Sequence, residues 1–186
     1  MQKLAIGVVF LSLLPLAALA QDTPKAEVFG GYSYLRANVL PRVGIDLNLN
    51  GWNGSVSGNV NDWLGVTADF SGQYGRPSLF GFSPEGLKTN VHSFLFGPSV
   101  SYRGHSAIVP FGHALFGVSR LSGDLFGFGA NDSAFAMAFG GGVDLKLGDA
   151  IAVRLIQADY MQTRFVFGHQ NHTRLSAGIV FRLGRE

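Results

Sequence analysis

The sequence predicts an all-β protein: an eight-stranded antiparallel up-and-down transmembrane β-barrel, preceded by a cleaved signal peptide. Three observations support this prediction. The chain opens with a leader typical of export. Most of the remainder alternates polar and apolar side chains, and short and long connections alternate between the segments that show this pattern. An alternation with a period of two is the side-chain repeat of a β-strand.

Composition narrows the class of protein before any motif is considered. Charged residues make up 14% of the 186-residue chain, against about 25% in typical soluble domains. Disordered chains, disulfide scaffolds and charge-rich coiled coils are excluded, because hydrophobic residues reach 47%, charge is sparse and cysteine is absent. The 14 Lys and Arg residues leave a net charge of only +2 and form no run, so we expect no nucleic-acid partner.

The first segment has the pattern of a secretory signal peptide. A basic start is followed by an apolar stretch, and small residues stand at the two positions that signal peptidase reads, Ala18 and Ala20. A membrane anchor is the alternative, but the apolar stretch is short for a span and a proline interrupts it. We therefore predict a signal peptide over 1–20 and a barrel domain over 21–186, which begins at Gln21.

The rest of the chain divides into segments with strand-like alternation. In one of them Trp52, Val56 and Val60 share a face, while Asn53 and Ser55 lie on the other. The candidate strands cover about 26–36, 50–60, 63–74, 90–102, 107–119, 133–145, 150–162 and 172–183. Most are near the roughly 9–11 residues with which a tilted strand crosses a bilayer.

Short and long connections alternate between these strands. The short ones lie near 61–62, 103–106 and 146–149, and the long ones near 37–49, 75–89, 120–132 and 163–171. Outer-membrane barrels show this pattern, with short turns in the periplasm and longer loops outside. With the first strand running outward, the aromatic residues fall into two belts, as expected at two membrane interfaces. The outer belt consists of Tyr34, Trp52, Tyr74 and Tyr160, and the periplasmic belt of Trp63, Tyr102 and Phe181.

Alternation alone leaves open whether the apolar face meets lipid or fills a soluble, lipocalin-type barrel. The polar face is rich in small residues that would fill a narrow bore, whereas a soluble exterior more often carries Lys and Glu. We therefore place the apolar face in lipid and the charged strand residues in the bore. The predicted polar network of the bore consists of Glu27, Asp69, His113, Asp144, Arg154, Asp159, Arg174 and Arg182, with Lys146 on the same inward parity.

The seventh strand does not keep one parity. Arg154 points inward only if even positions do, whereas Gln157 and Asp159 need odd positions inward. An Arg or Lys facing the middle of the bilayer costs about 2–4 kcal/mol. We therefore predict a β-bulge near Leu155 and Ile156 that resets the phase.

Two close pairs are predicted within the network. Glu27 and Arg182 fall near the periplasmic ends of the first and last strands, which close the barrel against each other. Asp144 and Arg154 lie on adjacent strands across a short turn, with Asp159 nearby. Paired charges of this kind suit a plugged bore, because an unpaired buried charge is costly. A gated pore or proton path is the alternative interpretation of the same residues.

The last strand carries a pattern of its own. Ser176, Gly178, Phe181 and Leu183 have the spacing of the terminal strand of outer-membrane barrels, through which the assembly machinery recognises its clients. With EVFGGYSY in the first strand and RLIQADY in the seventh, the chain resembles the outer-membrane β-barrel domain family, which includes eight-stranded barrels of OmpA and OmpX type. The resemblance implies an outer-membrane location. Barrels of this family usually end in an aromatic residue. In this chain Leu183 stands at that position, and three further residues follow it.

We expect no catalytic centre, metal site or cofactor. Three local pairs place a base beside a hydroxyl group: His92–Ser93, His105–Ser106 and His172–Thr173. Adjacent residues of a strand point to opposite faces, so such a pair cannot act together within a strand. His169 and His172 have no evident third metal ligand apart from Asp159.

The expected function is that of a small outer-membrane barrel with a structural or surface-interaction role. A narrow pore or transport barrel is the main alternative, followed by a soluble secreted lipocalin-type binder and a lipid A-modifying enzyme. Expected partners are outer-membrane lipid, lipopolysaccharide and the barrel-assembly machinery. The sequence names no ligand or protein partner for the loops.

Overall fold

A computed structural model describes residues 23–40, 45–75, 88–104, 107–125, 128–165 and 168–184. Among these residues there is no helix long and apolar enough to cross a membrane. They form eight strands: β1 (Ala26–Leu40), β2 (Ile45–Asn59), β3 (Leu64–Gly75), β4 (Lys88–Ser101), β5 (Ile108–Leu125), β6 (Phe128–Lys146), β7 (Ile151–Phe165) and β8 (Gly168–Leu183).

The strands form one closed antiparallel barrel, which confirms the predicted fold class. Each strand pairs with the next along the chain, and β1 pairs with β8 from Ala26 opposite Leu183 to Ala37 opposite His172. Closure removes the unpaired strand edges that an open sheet would expose. We call the end that holds 60–63, 102–104 and 147–150 the turn end, and the opposite end, where β1, β3, β5 and β7 finish, the loop end.

The strands reach further toward the loop end than the sequence predicted. The pairing of β1 with β2, of β5 with β6 and of β7 with β8 continues to the last residues of these strands. The expected long loops are therefore wrong over most of 37–49, 120–132 and 163–171, while 75–89 lies largely outside the described residues. Backbone hydrogen bonds hold a ladder wherever two strands run side by side, whereas apolar alternation is needed only where lipid meets the outer face.

Side chains alternate between the bore and the outer surface as predicted. Along β3, Thr67 and Asp69 are buried, while Val66, Phe70 and Tyr74 are exposed. The predicted aromatic belts lie on the outer surface: Trp52, Tyr74 and Tyr160 are exposed toward the loop end with Tyr34 half-buried, and Trp63, Tyr102 and Phe181 are exposed toward the turn end. Aromatic girdles at two interfaces are typical of outer-membrane barrels.

The predicted bulge is present in β7. The register against β8 shifts between Arg154 and Gln157, so two residues of β7 oppose one residue of β8. The two residues between them, Leu155 and Ile156, are both exposed on the lipid-facing side. Because the bulge adds one residue, it changes the phase of the strand and keeps Arg154, Gln157 and Asp159 all buried in the bore.

The seam between β1 and β8 requires glycine. Gly31 and Gly178 stand opposite each other in the register. A Cβ atom on Gly31 would overlap the backbone of Ala177, and one on Gly178 would overlap the backbone of Gly30. The absence of side chains at these two positions lets the first and last strands approach closely enough to close the barrel.

Candidate functional site in the barrel interior

The centre of the bore holds a network of charged side chains, built around Arg174 of β8. Arg174 is fully buried, and its guanidinium group donates hydrogen bonds from Nη1 to Asp69 Oδ1 at 2.8 Å and from Nη2 to Asp159 Oδ2 at 2.7 Å. Nε also donates to Asp159 Oδ2, at 2.9 Å. Asp69 lies on β3 and Asp159 on β7, so one side chain connects strands on different sides of the barrel.

Asp159 collects further partners. Its Oδ1 lies 2.8 Å from His113 Nε2, and its Oδ2 accepts a hydrogen bond of 2.8 Å from Gln157 Nε2. The carboxylate of Asp159 is thus surrounded by one guanidinium, one imidazole and one amide group. Such saturation is what a buried carboxylate requires, because each unpaired lone pair would carry a desolvation penalty.

Arg154 extends the network toward the turn end. Its Nε and Nη2 form a two-pronged contact with Asp144, at 2.8 and 3.0 Å, and its Nη1 donates to Gln157 Oε1 at 2.7 Å. The guanidinium also lies between the rings of Phe29 and Phe111, 4.3 and 4.1 Å from their centroids. Two carboxylate contacts and two ring faces fix the orientation of this cation.

The turn end is closed by Arg103, which the sequence reasoning missed. Arg103 lies between β4 and β5, and its Nη2 donates to Glu27 Oε2 at 2.8 Å and to Asn59 Oδ1 at 2.9 Å. Its Nη1 donates to the backbone oxygen of Asp62 at 2.8 Å. Arg182 Nε lies 3.5 Å from the other oxygen of Glu27, so the predicted approach of these two residues is present. Because Arg103 lies in a turn, the alternation of inward and outward side chains along a strand does not apply to it. The pattern that identified the bore residues therefore could not identify Arg103.

A small cavity lies between Glu27 and Arg182 at the turn end and the central network. It measures about 30 Å³ and is lined mainly by polar side chains, among them Thr67, His113, Asp144 and Arg154. That volume suffices for roughly two water molecules and not for an organic ligand, since ligand pockets measure about 300–1,000 Å³. The cavity therefore has room for water beside the network and none for a small organic molecule.

An apolar layer lies between the charged network and the loop end. Its buried members are Leu35, Leu49, Leu95, Leu115, Ala136, Ala138 and Met161, with Val91 packed against them. Six strands contribute to this layer. On each strand that contributes to both regions, the apolar residue is nearer the loop end. The layer was not predicted from the sequence, because the inward face was expected to be polar throughout.

The structure brings together the eight residues predicted to form the polar network, in two groups. Six belong to the central network: Asp69, His113, Asp144, Arg154, Asp159 and Arg174. Glu27 and Arg182 form a separate group with Arg103 at the turn end. Lys146 lines the cavity between the two groups. Asn53, which donates to Asp69 Oδ2 at 2.8 Å, joins the network although it was not predicted.

The histidines do not form a catalytic arrangement among the described residues. His92 points outward and Ser93 inward, and His172 points inward and Thr173 outward. His172 Nε2 lies 3.0 Å from Thr163 Oγ1, but both side chains are buried and His172 Nδ1 has no hydrogen-bond partner. A nucleophile activated by histidine needs access to substrate and a group that orients the ring. The pair His105–Ser106 lies outside the described residues.

The remaining predicted residues occupy the two ends of the chain. Of the terminal strand pattern, Ser176 and Gly178 face the bore side of β8, while Phe181 and Leu183 are exposed on the outer surface. Ala18, Ala20 and Gln21 lie outside the described residues. No cluster of three or more His, Cys, Asp or Glu side chains that could hold a metal ion occurs among the residues that the structure describes.

Solved structures of bacterial barrels share this architecture. Neisserial surface protein A is similar over 86% of this chain and 97% of its own, with a TM-score of 0.67 at 16% identity. Ail of Yersinia pestis, in complex with the heparin analogue sucrose octasulfate, is similar over 86% of this chain and 99% of its own, with a TM-score of 0.58 at 19% identity. OprG of Pseudomonas aeruginosa has a TM-score of 0.58 at 10% identity, over 88% of this chain and 98% of its own.

Sequence comparison identifies the family. No curated protein matches the chain. The family model described as outer membrane protein beta-barrel domain matches residues 6–182, which is nearly the whole chain. With eight strands closed into one barrel and an apolar outer face, this protein belongs to the outer membrane protein beta-barrel domain family and is a small barrel of the outer membrane.

Proposed function

We propose that this protein is a closed outer-membrane barrel with a structural or surface-interaction role and no catalytic activity. The observation that carries the proposal is the filling of the bore by two successive regions, the charged network and the apolar layer. An ion or solute entering from the turn end would meet Arg103, then the central network, then the apolar layer.

The charged network favours closure because its groups already satisfy one another. A permeating ion would have to replace hydrogen bonds of 2.7–2.8 Å between Arg174 and two carboxylates. The apolar layer adds a second barrier, since a narrow hydrophobic constriction excludes water and with it hydrated ions. The cavity of about 30 Å³ has no residue of the apolar layer in its lining.

The arrangement of the two ends supports an orientation for the barrel. We infer that the turn end lies in the periplasm and the loop end outside. At the turn end the connections follow directly on the aromatic belt, whereas at the loop end the paired strands continue well beyond it, and the longer extensions are extracellular in barrels of this class. Export by a signal peptide over 1–20 and insertion of the domain over 21–186 accord with that orientation. Recognition of Ser176, Gly178, Phe181 and Leu183 by the barrel-assembly machinery is part of the same proposal.

A role at the cell surface follows from the closed bore. With the interior filled, the loop end and the outer face remain as the places where partners can bind. Ail, a barrel of this architecture, was solved in complex with the heparin analogue sucrose octasulfate. For this chain we infer contact with outer-membrane lipid and lipopolysaccharide, and the next section argues one such contact.

Conductance in planar bilayers tests the proposal. We expect the folded wild-type barrel to give no channel openings at any pH or at either polarity of voltage. In a matched variant, Leu95→Ser and Leu115→Ser make the apolar layer polar, and this variant should also stay closed because the charged network remains as the other barrier. Openings in this variant alone would mean that the network does not block the bore by itself. Discrete openings of the wild-type protein would contradict a closed bore and favour the narrow pore.

A further inference from the structure

A ring of polar side chains encircles the outer surface near the loop end. On every strand the outward-facing residues are mostly apolar or aromatic from the turn end upward, and then reach a polar residue or, on β3, Tyr74, the last outward residue of that strand. These positions are Arg36, Asn50, Tyr74, His92, Arg120, Ser133, Gln162 and Thr173. The ring marks the boundary between the hydrocarbon core and the lipid headgroups.

Three members of this ring stand side by side on adjacent strands. His92 of β4 is opposite Arg120 of β5, and Arg120 is opposite Ser133 of β6. Directly opposed residues on one face of a sheet have Cβ atoms about 4.5–5.5 Å apart, so the three side chains can reach a common ligand. Arg120 and Ser133 are exposed and His92 is half-buried.

Neighbouring contacts hold the three side chains in place. Arg120 donates from Nε to Ser133 Oγ at 3.3 Å. His92 packs edge-on against Tyr74 with ring centroids 5.6 Å apart, and its Nε2 lies 3.2 Å from the Tyr74 hydroxyl oxygen. Among the residues whose side chains the structure describes, no Asp or Glu forms an ion pair with Arg120. The exposed guanidinium places a positive charge on the outer surface of the barrel.

The surface below these residues is suited to acyl chains. Phe94, Val118 and Phe135 follow on the same face of the same three strands, one outward position nearer the turn end, and all are exposed. A ligand at this place must carry an anionic head at the level of Arg120 and hydrocarbon beneath it. That combination is a membrane lipid with a phosphate group, since guanidinium groups match phosphate oxygens with paired hydrogen bonds.

We propose that Arg120, with His92 and Ser133, forms a binding site for the phosphate of lipid A in the outer leaflet. The inference rests on the proposed orientation of the barrel, in which the loop end faces outward. Lipid A carries phosphomonoesters and several acyl chains, and so supplies both the doubly charged head and the hydrocarbon that the surface accommodates. A phosphodiester phospholipid offers one negative charge and is the competing lipid source.

Native mass spectrometry of the folded protein in detergent tests the site. The probes are bisphosphorylated lipid A, the same lipid A after phosphatase treatment, and phosphatidylglycerol. We expect wild-type protein to bind bisphosphorylated lipid A at least about tenfold more tightly than either other lipid, since a hydrogen bond to a charged group contributes enough for such a factor. Equal binding of dephosphorylated lipid A or of phosphatidylglycerol would overturn the assignment.

Matched variants separate the site from general attraction between charges. Arg120→Gln should lose at least about tenfold in affinity for bisphosphorylated lipid A, while Arg36→Gln, which removes the same charge from the ring on β1, should bind as wild type. His92→Phe keeps the ring against Tyr74 and should lose a smaller factor. An unchanged affinity of Arg120→Gln, or an equal loss in Arg36→Gln, would overturn the proposal.

Folding, lipid binding and closure of the bore are measured by separate experiments. Heat-modifiable migration on a gel shows whether each variant is folded, and if Arg120→Gln fails to fold, His92→Phe carries the test, with unchanged affinity counting against the site. Channel openings of the wild-type protein would overturn the closed bore and leave the lipid result standing. Loss of discrimination between the three lipids would overturn the lipid site and leave the closed bore standing.

Discussion

Two regions share the bore of this barrel and fill it by different means. The charged network joins residues of five strands through directional contacts, such as the bonds from Arg174 to Asp69 and Asp159. The apolar layer joins residues of six strands through van der Waals packing without directional bonds, and Leu49 and Leu115 are fully buried within it. The network therefore depends on which group faces which, whereas the layer depends on how much volume is filled.

The two regions consequently respond differently to substitution. Removal of one partner from a buried ion pair leaves the other charge without compensation, at a cost of about 3–5 kcal/mol. Removal of methyl groups from a packed layer costs the lost contacts plus a cavity, about 2–5 kcal/mol for Leu to Ala. Replacing every charged member with apolar groups of similar volume can, in contrast, be nearly neutral.

The largest effect is expected at Arg174. Arg174→Met should reduce the free energy of unfolding by about 3–5 kcal/mol, because Asp69 and Asp159 would remain buried without their cation. Urea unfolding in lipid vesicles, followed by heat-modifiable migration, measures this. The combined variant Arg174→Met, Asp69→Asn and Asp159→Asn removes the orphaned charges and should recover much of the loss. If the single variant unfolds at the wild-type urea concentration, the network is not what stabilises the bore.

A smaller effect is expected in the apolar layer. Leu115→Ala should cost about 2–4 kcal/mol, since Leu115 is fully buried among neighbours that cannot all move to fill the space. Leu175→Ala provides the control, because Leu175 is exposed on the outer face, where lipid can occupy the vacated volume. The same unfolding measurement compares the two. Equal losses for both leucines would mean that the interior packing of the layer has no special weight.

The charged network could be predicted from the sequence because charge and parity agree. A charged residue on a transmembrane strand has one favourable side, and Asp69, Asp144 and Arg174 all share the inward parity of their strands. The conflict of parity between Arg154 and Asp159 was equally informative, since only a bulge could resolve it. The fold class and most of the network thus follow from two facts: side chains on a strand alternate between its two faces, and a charged side chain that faces lipid is energetically unfavourable.

The apolar layer and the turn-end closure could not be predicted in the same way. The parity that places His113 in the bore also places Leu115 there, but a leucine is tolerated on either face of a strand and the alternation does not show that apolar side chains of several strands meet in one layer. The segment 45–50 alternates apolar and polar residues in the opposite phase to 52–60, which is a signal that the bore changes character, but it was assigned to a loop. Arg103 lies in a turn, where only three-dimensional closure brings it to Glu27.

The smallest effect is expected from a deletion that removes the bulge while preserving the network. Deleting Ile156 leaves Leu155 alone between Arg154 and Gln157, so the strand alternates without interruption and Arg154, Gln157 and Asp159 all still face the bore. Because the deleted side chain is exposed to lipid, the free energy of unfolding should change by less than about 1 kcal/mol.

The control deletes Ala114, an outward-facing residue of β5, where the described pairing has no register shift. That deletion inverts the phase of half a strand, brings Leu115 or His113 to the lipid face and should prevent folding, as heat-modifiable migration would show. If the two deletions are equally damaging, the bulge does more than set the phase of the charges, and its two exposed residues are themselves required.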